Sequence, residues 1–187
     1  EAIDKIHFKL SYFPVSDVET LMPLPGDYVN TIRSQAKTLF PAFKQAKEKA
    51  IVTSQKSQLK QIAVGALIYM TDYDDVVPAA PDTATLAAIT LPYLKNIELW
   101  KSRHPDGGQF EFNVGIAGIK ATEEKDAKNT VMLYETKAWP DGLRAVAFLD
   151  GNVDRIDEKT WALLKESMSK RLARNPKPKT VSAQPFP

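Results

Sequence analysis

Three aspartates follow an apolar run near the middle of the chain, namely Asp72, Asp74 and Asp75. Their carboxylates are hard oxygen ligands of the kind that Ca²⁺ prefers, and this ion needs about six to eight oxygens. The spacing is not that of an EF-hand, so backbone carbonyls and distant acids such as Asp150 or Asp154 would have to complete the shell. The sequence therefore offers a candidate calcium site at this turn, with a solvated acidic turn as the alternative.

A second set of residues, Trp100, His104 and Trp139, could contact a ligand or a protein partner. His104 lies in the loop sequence SRHPDGG beside Asp106, and loop histidines often take part in binding. The indole rings could line a groove. The alternatives are a solvent-facing turn residue for His104 and ordinary packing for the tryptophans. With His7, the chain has two histidines, too few for a histidine-based metal cluster.

The composition excludes several classes of function. The chain has no cysteine, which removes disulfides, cysteine metal sites and thiol nucleophiles. It has 25 Lys and Arg against 23 Asp and Glu, mixed along the sequence, so nucleic acid is not an expected partner. Sequence motifs for a nucleophile elbow, a phosphate-binding glycine loop and a zinc protease are absent. We therefore expect no enzymatic activity and no cofactor other than the candidate calcium.

One long amphipathic helix is expected from Leu39 to Tyr73, because apolar residues recur there at spacings of three and four. Pro41 would fall in its first turn or mark a kink. The continuous apolar run inside this helix is shorter than the roughly 20 residues that span a membrane. We therefore expect the half from Gln58 to Tyr73 to be packed on a sheet, whereas the N-terminal half could project away from the globular part. We expect no membrane contact by this chain itself.

Short elements are expected after the long helix. Asp82 or Thr83 should cap a helix over residues 85–90, which a turn at Pro92 would end. Apolar alternation and runs of β-forming residues predict strands in FEFNVGI, NTVMLYET, RAVAFLDG and NVDRID. Asp150-Gly151 would form the turn between the last two strands. The predicted class is thus α+β, with a long N-terminal helix on a small antiparallel sheet.

A C-terminal helix completes the predicted fold. Asp157 is expected to cap it, and its apolar residues share one face: Trp161, Leu164, Met168 and Leu172. We expect three segments along the chain, residues 1–37, a helix-plus-sheet domain over 38–172, and a disordered Pro-rich tail over 173–187. The first segment contains the predicted strand IHFKLSYF and a Pro-rich connector. Because the chain opens with Glu1, we also expect residues upstream of it.

Several motifs along the chain resemble those of one protein group, the bacterial prepilin-like and pseudopilin-like proteins with a C-terminal His-x9-Asp-Gly signature. The matching stretches cover about residues 38–165 and are LFP (39–41), QLKQ (58–61), DYD (72–74), Pro78, LPYLKN (91–96), NTVMLYE (129–135) and DGLRAVAFLDGNV (141–153). Asp150 and Gly151 stand at the signature Asp-Gly. Pro140 replaces the signature histidine, and the group's apolar stem is absent before Leu39.

The resemblance implies a pilin-like fold and a non-enzymatic role. It implies an extracytoplasmic subunit or domain, periplasmic or at the cell surface, that acts through protein contacts in secretion or surface assembly and could form a homo-oligomer. Because residues 1–37 replace the stem, an alternative is a soluble ligand-binding or sensor module at the C-terminus of a larger membrane-anchored protein. Its anchor would lie upstream of Glu1. An enzyme of unrecognised type is the third reading.

Overall fold

The computed structural model of the chain describes residues 26–175. The chain divides into two compact units, residues 1–46 and 47–187, and each is described by itself. Helix α1 (Gly26–Asp72) contributes residues to both units. The predicted strand IHFKLSYF and residues 176–187 of the predicted tail lie outside the described residues, and the predicted segment boundaries stay predictions.

The long helix is confirmed, but it begins at Gly26 rather than at Leu39. Residues between these two positions are mostly polar, so apolar periodicity could not mark them as helical. No proline or glycine interrupts the sequence from Asp27 to Phe40, and most of its residues are adequate helix formers. Pro41 therefore lies inside the helix rather than in its first turn. Within residues 26–175, no helix has the length and apolar character to cross a membrane.

Helix α2 (Thr83–Leu94) has one of the two predicted caps, but it begins before the predicted range of 85–90 and ends after it. Asp82 is its N-cap, and the carboxylate accepts a hydrogen bond of 2.7 Å from the Thr85 backbone N–H. The predicted end before Pro92 is wrong, because the helix continues for two further residues. Leu94 at its end packs on the main hydrophobic core, and this tertiary contact offsets the backbone hydrogen bond that proline cannot donate.

The sheet is antiparallel, with four strands in the order β1 (Phe110–Phe112), β2 (Val131–Glu135), β3 (Leu143–Phe148) and β4 (Val153–Asp157). The four predicted strands are confirmed, except that FEFNVGI is a strand only as far as Phe112. Asn113 ends it, because its side chain accepts a hydrogen bond from Gly115 N and donates one to Val131 O. Residues 114–116 then form a 3-10 turn.

Two helices cover the two faces of the sheet in the second unit. Neighbouring residues of a strand point to opposite faces, and β3 divides accordingly, with Ala145 and Ala147 in one apolar cluster and Val146 and Phe148 in another. The first cluster contains the buried apolar side chains of α1, which are Leu59, Ile62, Ala63, Ala66 and Met70. The second contains Trp161 of the C-terminal helix α3 (Glu158–Arg174).

Helix α3 confirms the predicted cap and most of the predicted apolar face. The Asp157 carboxylate accepts a hydrogen bond of 2.8 Å from Thr160 N, and Leu164 and Met168 pack beside Trp161. Leu172 stays exposed at the far end. The predicted α+β class, with a long N-terminal helix, a small antiparallel sheet and a C-terminal helix, is therefore confirmed.

Candidate functional site

The acidic turn after α1 is exposed and tightly bent. Asp74 and Asp75 both adopt left-handed backbone conformations, with φ of 53° and 61°, which aspartate tolerates better than most residues. Asp72 accepts a hydrogen bond of 3.0 Å from the Tyr93 hydroxyl. Burial and this hydrogen bond raise the pKa of Tyr93 to about 12. The conformation of the turn thus combines the left-handed backbone at Asp74 and Asp75 with the hydrogen bond from Tyr93 to Asp72.

The described part of the chain contains no group of three or more His, Cys, Asp or Glu residues placed to hold a metal ion. Asp150 and Asp154, the distant acids considered as further ligands, lie instead around the β3–β4 hairpin. Asp150 accepts a hydrogen bond from Asn152 N, and Asp154 pairs with Lys56 at 3.5 Å. The calcium site therefore stays a prediction, and these residues do not assemble its ligand set.

Asp150 and Gly151 form the predicted hairpin turn between β3 and β4. Gly151 has a φ of 82°, which glycine adopts without the strain that other residues would have there, and a Cβ atom would also lie 2.5 Å from the Leu67 side chain. The Lys60 ammonium group donates a hydrogen bond to the Gly151 carbonyl oxygen. Through Gly151, the hairpin at the signature Asp-Gly positions is hydrogen-bonded to Lys60 of α1.

A buried carboxylate, Glu135, lies at the end of β2 and is 1% exposed. One carboxylate oxygen accepts hydrogen bonds from the Ala145 backbone N–H at 2.7 Å and from the Trp139 indole N–H at 2.9 Å. The other lies 3.1 Å from the same indole nitrogen and 3.4 Å from the side-chain nitrogen of Gln55. These N–H donors supply the hydrogen bonds that a carboxylate loses when it leaves water.

Gln55 joins helix α1 to the loop that contains His104. Its side-chain oxygen accepts a hydrogen bond of 3.0 Å from Arg103 N, and its side-chain nitrogen donates one of 2.8 Å to the Ser102 hydroxyl. Gln55 is fully buried, so all of its polar atoms need partners inside the fold. The loop, the long helix and β2 are therefore connected through Gln55 and Glu135.

His104 is 6% exposed, so the alternative of a solvent-facing turn residue is wrong. Its ring packs on Trp139, with 4.6 Å between the ring centroids. Nδ1 accepts a hydrogen bond from Asp106 N, and Nε2 lies 3.1 Å from the Ala138 carbonyl oxygen. Since a carbonyl oxygen can only accept, Nε2 is the donor in this contact. His104 and Trp139 are thus brought together in the interior, where a binding role for them stays a prediction.

Sequence reasoning missed Glu135 and Gln55, although each had a local signal. Glu135 lies two residues after Leu133 on β2, so both side chains point to the same face of the sheet, the face that meets α1. Gln55 lies one helical turn before the buried Leu59. We name Gln55, His104, Glu135 and Trp139 the buried polar cluster. Their described polar contacts are internal, so the cluster is suited to fixing the fold.

A groove beside β1 contains the third residue of the predicted set, Trp100. It has a volume of about 790 Å³ and lies between the first turn of α2, the 3-10 turn of residues 97–100 and residues 107–111. The indole nitrogen of Trp100 is buried and has no hydrogen-bond partner in the part of the chain that the structure describes. Trp100 is therefore the member of the set that borders space large enough for a ligand.

An apolar helix face is exposed in the first unit. Leu39, Phe40 and Phe43 of α1 are 51%, 62% and 67% exposed. Residues three and four apart in a helix are neighbours on its surface, so the three side chains form one patch. Isolated exposed apolar residues are ordinary, but a contiguous patch of large ones is typical of an interaction surface.

Comparison of this chain with protein-family models, curated proteins and solved structures finds no match. The resemblance to prepilin-like proteins therefore stays a prediction that rests on the motifs in the sequence. The exposed helix face and the groove beside β1 are the two candidate interaction surfaces described above.

Proposed function

We propose that this protein is a non-enzymatic, pilin-like subunit or domain that acts through protein–protein contacts outside the cytoplasm, in secretion or surface assembly. The observation that carries the proposal is the exposed helix face of Leu39, Phe40 and Phe43. A long helix, an antiparallel sheet and the motifs shared with prepilin-like proteins support the pilin-like assignment. The internal hydrogen bonding of the buried polar cluster supports a structural rather than a catalytic use of its polar groups.

The partner we propose for this helix face is the same face of a second copy. Full burial of a Leu or Phe side chain contributes about 1.5–3 kcal/mol, so three of them can offset a substantial part of the cost of association. Apolar residues at spacings of three and four form the ridges that pack two helices together.

Light scattering after size-exclusion chromatography tests this proposal. We expect the full chain to be larger than a monomer at high concentration, and the double substitution Phe40→Gln, Phe43→Gln to return it to a monomer. The matched control is Val64→Gln, Ile68→Gln, which changes two other exposed apolar residues of the same helix. The control should leave the mass unchanged. A wild-type chain that is monomeric at every concentration, or that loses its assembly equally in both variants, would contradict the proposal.

A second candidate function is a soluble ligand-binding or sensor module at the C-terminus of a larger membrane-anchored protein. The groove that contains Trp100 favours this alternative, because it combines open space with a buried indole N–H that finds no acceptor among residues 26–175. The two functions are separable experimentally. Substitutions in the helix face should alter assembly alone, and substitutions in the groove should alter ligand binding alone.

A further inference from the structure

A cleft lies between the C-terminal turns of helix α3 and the segment of residues 115–124. Its volume is about 790 Å³, which is within the range of small-molecule sites. The Asn175 side chain, directly after α3, donates hydrogen bonds of 3.4 and 3.1 Å to the carbonyl oxygens of Gly115 and Ala117. The end of the helix is therefore attached to the opposite wall, and two carbonyl oxygens of that wall already accept hydrogen bonds.

Three of the four side chains of α3 that line this cleft are cationic. The four are Ser167, Lys170, Arg171 and Arg174, and residues three, four and seven positions apart lie on one face of a helix. Lys120 lines the cleft from the opposite wall. The chain as a whole is nearly balanced, with 25 basic and 23 acidic residues, so four cations around one space are a local excess. We name this space the basic cleft.

One of the four cations is already paired inside the fold. Glu124 accepts hydrogen bonds from Nη1 and Nη2 of Arg171, the second at 3.1 Å, and Nη2 also donates to the Thr130 hydroxyl at 3.1 Å. This pair joins the two walls and neutralises one charge of each sign. Glu123 is the second acid of the lining, so three cations remain against one acid.

These three cations are available to a ligand. Lys120 and Arg174 are exposed, and neither side chain has an ion pair or hydrogen bond among residues 26–175. Lys170 pairs with Glu166, but both side chains are largely exposed, and an ion pair in water contributes little to stability. The described part of the chain therefore leaves the basic cleft with excess positive charge.

Phosphate groups match the chemistry of these side chains. Guanidinium and ammonium groups form charge-assisted hydrogen bonds with phosphate oxygens, and the guanidinium fork binds two oxygens at once. Several cations around one space gain more from a ligand with several negative charges than from a single anion. The cations surround a concave space rather than a long basic stripe, which favours a small ligand over a nucleic acid or another polymer.

We infer that the basic cleft binds a small soluble polyanion whose charge comes from two or more phosphate groups. Lys170 and Arg174 contact it from α3, Lys120 contacts it from the opposite wall, and the Ser167 hydroxyl supplies a neutral donor. The Arg171–Glu124 pair holds the walls in place and is not part of the binding set. The inference depends neither on the helix face of Leu39, Phe40 and Phe43 nor on the groove beside β1.

Inorganic tripolyphosphate is the probe, because it carries several phosphate groups without a base, a sugar or a lipid. Isothermal titration calorimetry on the full chain measures its dissociation constant at fixed ionic strength, since salt screens exposed charges. The double substitution Lys120→Gln, Arg174→Gln removes one cation from each wall. The matched control, Lys125→Gln, Lys165→Gln, removes the same charge from two exposed lysines that do not line the cleft. Circular dichroism confirms that each variant is folded.

We expect tripolyphosphate to bind more tightly than pyrophosphate, and pyrophosphate more tightly than phosphate, because each added group reaches a further cation. The substitutions in the cleft should raise the dissociation constant of tripolyphosphate by about tenfold or more, and the control should change it by less than about twofold. Sedimentation with vesicles that contain phosphatidic acid tests a lipid source of the same phosphate chemistry. We expect the chain to stay in the supernatant.

Three results would overturn the inference. The first is the absence of binding heat at millimolar tripolyphosphate. The second is an equal loss of affinity in the cleft variant and in the control, which would mean that the anion responds to the overall charge of the chain. The third is sedimentation with the vesicles, which would assign the phosphate chemistry to a lipid headgroup. If the double variant in the cleft does not fold, Arg174→Gln against Lys165→Gln decides the question.

Discussion

Substitution of Trp139 by phenylalanine should destabilise the protein mainly through the buried Glu135 carboxylate. The indole nitrogen lies 2.9 Å from one carboxylate oxygen and 3.1 Å from the other. Phenylalanine keeps an aromatic ring beside His104 but has no N–H to donate. Since Glu135 is 1% exposed, water cannot replace the lost donor, and the carboxylate keeps its burial cost with one partner fewer.

The expected loss of unfolding free energy in Trp139→Phe has two contributions. A hydrogen bond to a charged group contributes about 1.5–3 kcal/mol to stability. The smaller ring also leaves a cavity, and its cost depends on how far the neighbouring His104 ring can move to fill it. Together these effects should lower the free energy of unfolding by about 2–4 kcal/mol in Trp139→Phe.

Trp100→Phe is the matched control, because it removes the same atoms from an indole whose N–H has no partner in the described structure. Its loss should be smaller by at least about 1.5 kcal/mol, since no hydrogen bond to a charge is broken. Urea unfolding followed by far-ultraviolet circular dichroism measures both variants without relying on tryptophan fluorescence. Equal slopes against urea would show that the midpoints report stability.

Equal losses of unfolding free energy in Trp139→Phe and Trp100→Phe would contradict this expectation. A double-mutant cycle of Trp139→Phe with Glu135→Gln separates the hydrogen bond from packing. We expect a coupling energy of about 1–3 kcal/mol between these two residues. A coupling energy near zero would mean that the indole N–H does not stabilise the carboxylate.

Two further expectations concern the C-terminal helix. Gly115→Ala should lower stability by about 1–3 kcal/mol in urea unfolding, because its Cβ atom would lie 3.0 Å from the backbone nitrogen of Leu172; an unchanged midpoint would contradict this. The hydrogen bond from Arg171 lowers the pKa of Glu124 in the folded protein below its ordinary value of 4.5. The pair therefore adds stability above pH 4.5, and this stability is lost as the pH falls through the pKa that Glu124 has in the folded protein. Urea midpoints should therefore show a gap between wild type and Arg171→Gln at neutral pH that closes in acid, whereas Lys170→Gln, which alters a fully exposed pair, should show a smaller gap.

Local patterns predicted much of the secondary structure correctly, and the reasons are themselves local. The acids Asp82 and Asp157 cap their helices because an N-cap needs only a side-chain oxygen within reach of a nearby N–H. Strands β2, β3 and β4 follow from short runs of apolar and β-forming residues. The Asp150-Gly151 turn follows from the positive φ that glycine allows at a hairpin.

The errors of sequence reasoning arose where distant contacts override local preference. The continuation of α2 past Pro92 depends on the packing of Leu94 against the core. The early end of β1 depends on the hydrogen bonds that Asn113 makes with Gly115 and Val131. The start of α1 was missed for a different reason, because a polar helix has no apolar period to detect.

The candidate sites show most clearly which features the local sequence determines and which depend on tertiary contacts. The types and spacing of residues were enough to establish the α+β class and to select Trp100, His104 and Trp139 for attention. Only the folded chain decided that His104 and Trp139 are interior while Trp100 borders a groove. The reason is that burial depends on residues far apart in sequence. Gln55 and Glu135 contact each other across a separation of 80 residues, and no local pattern in either segment specifies that contact.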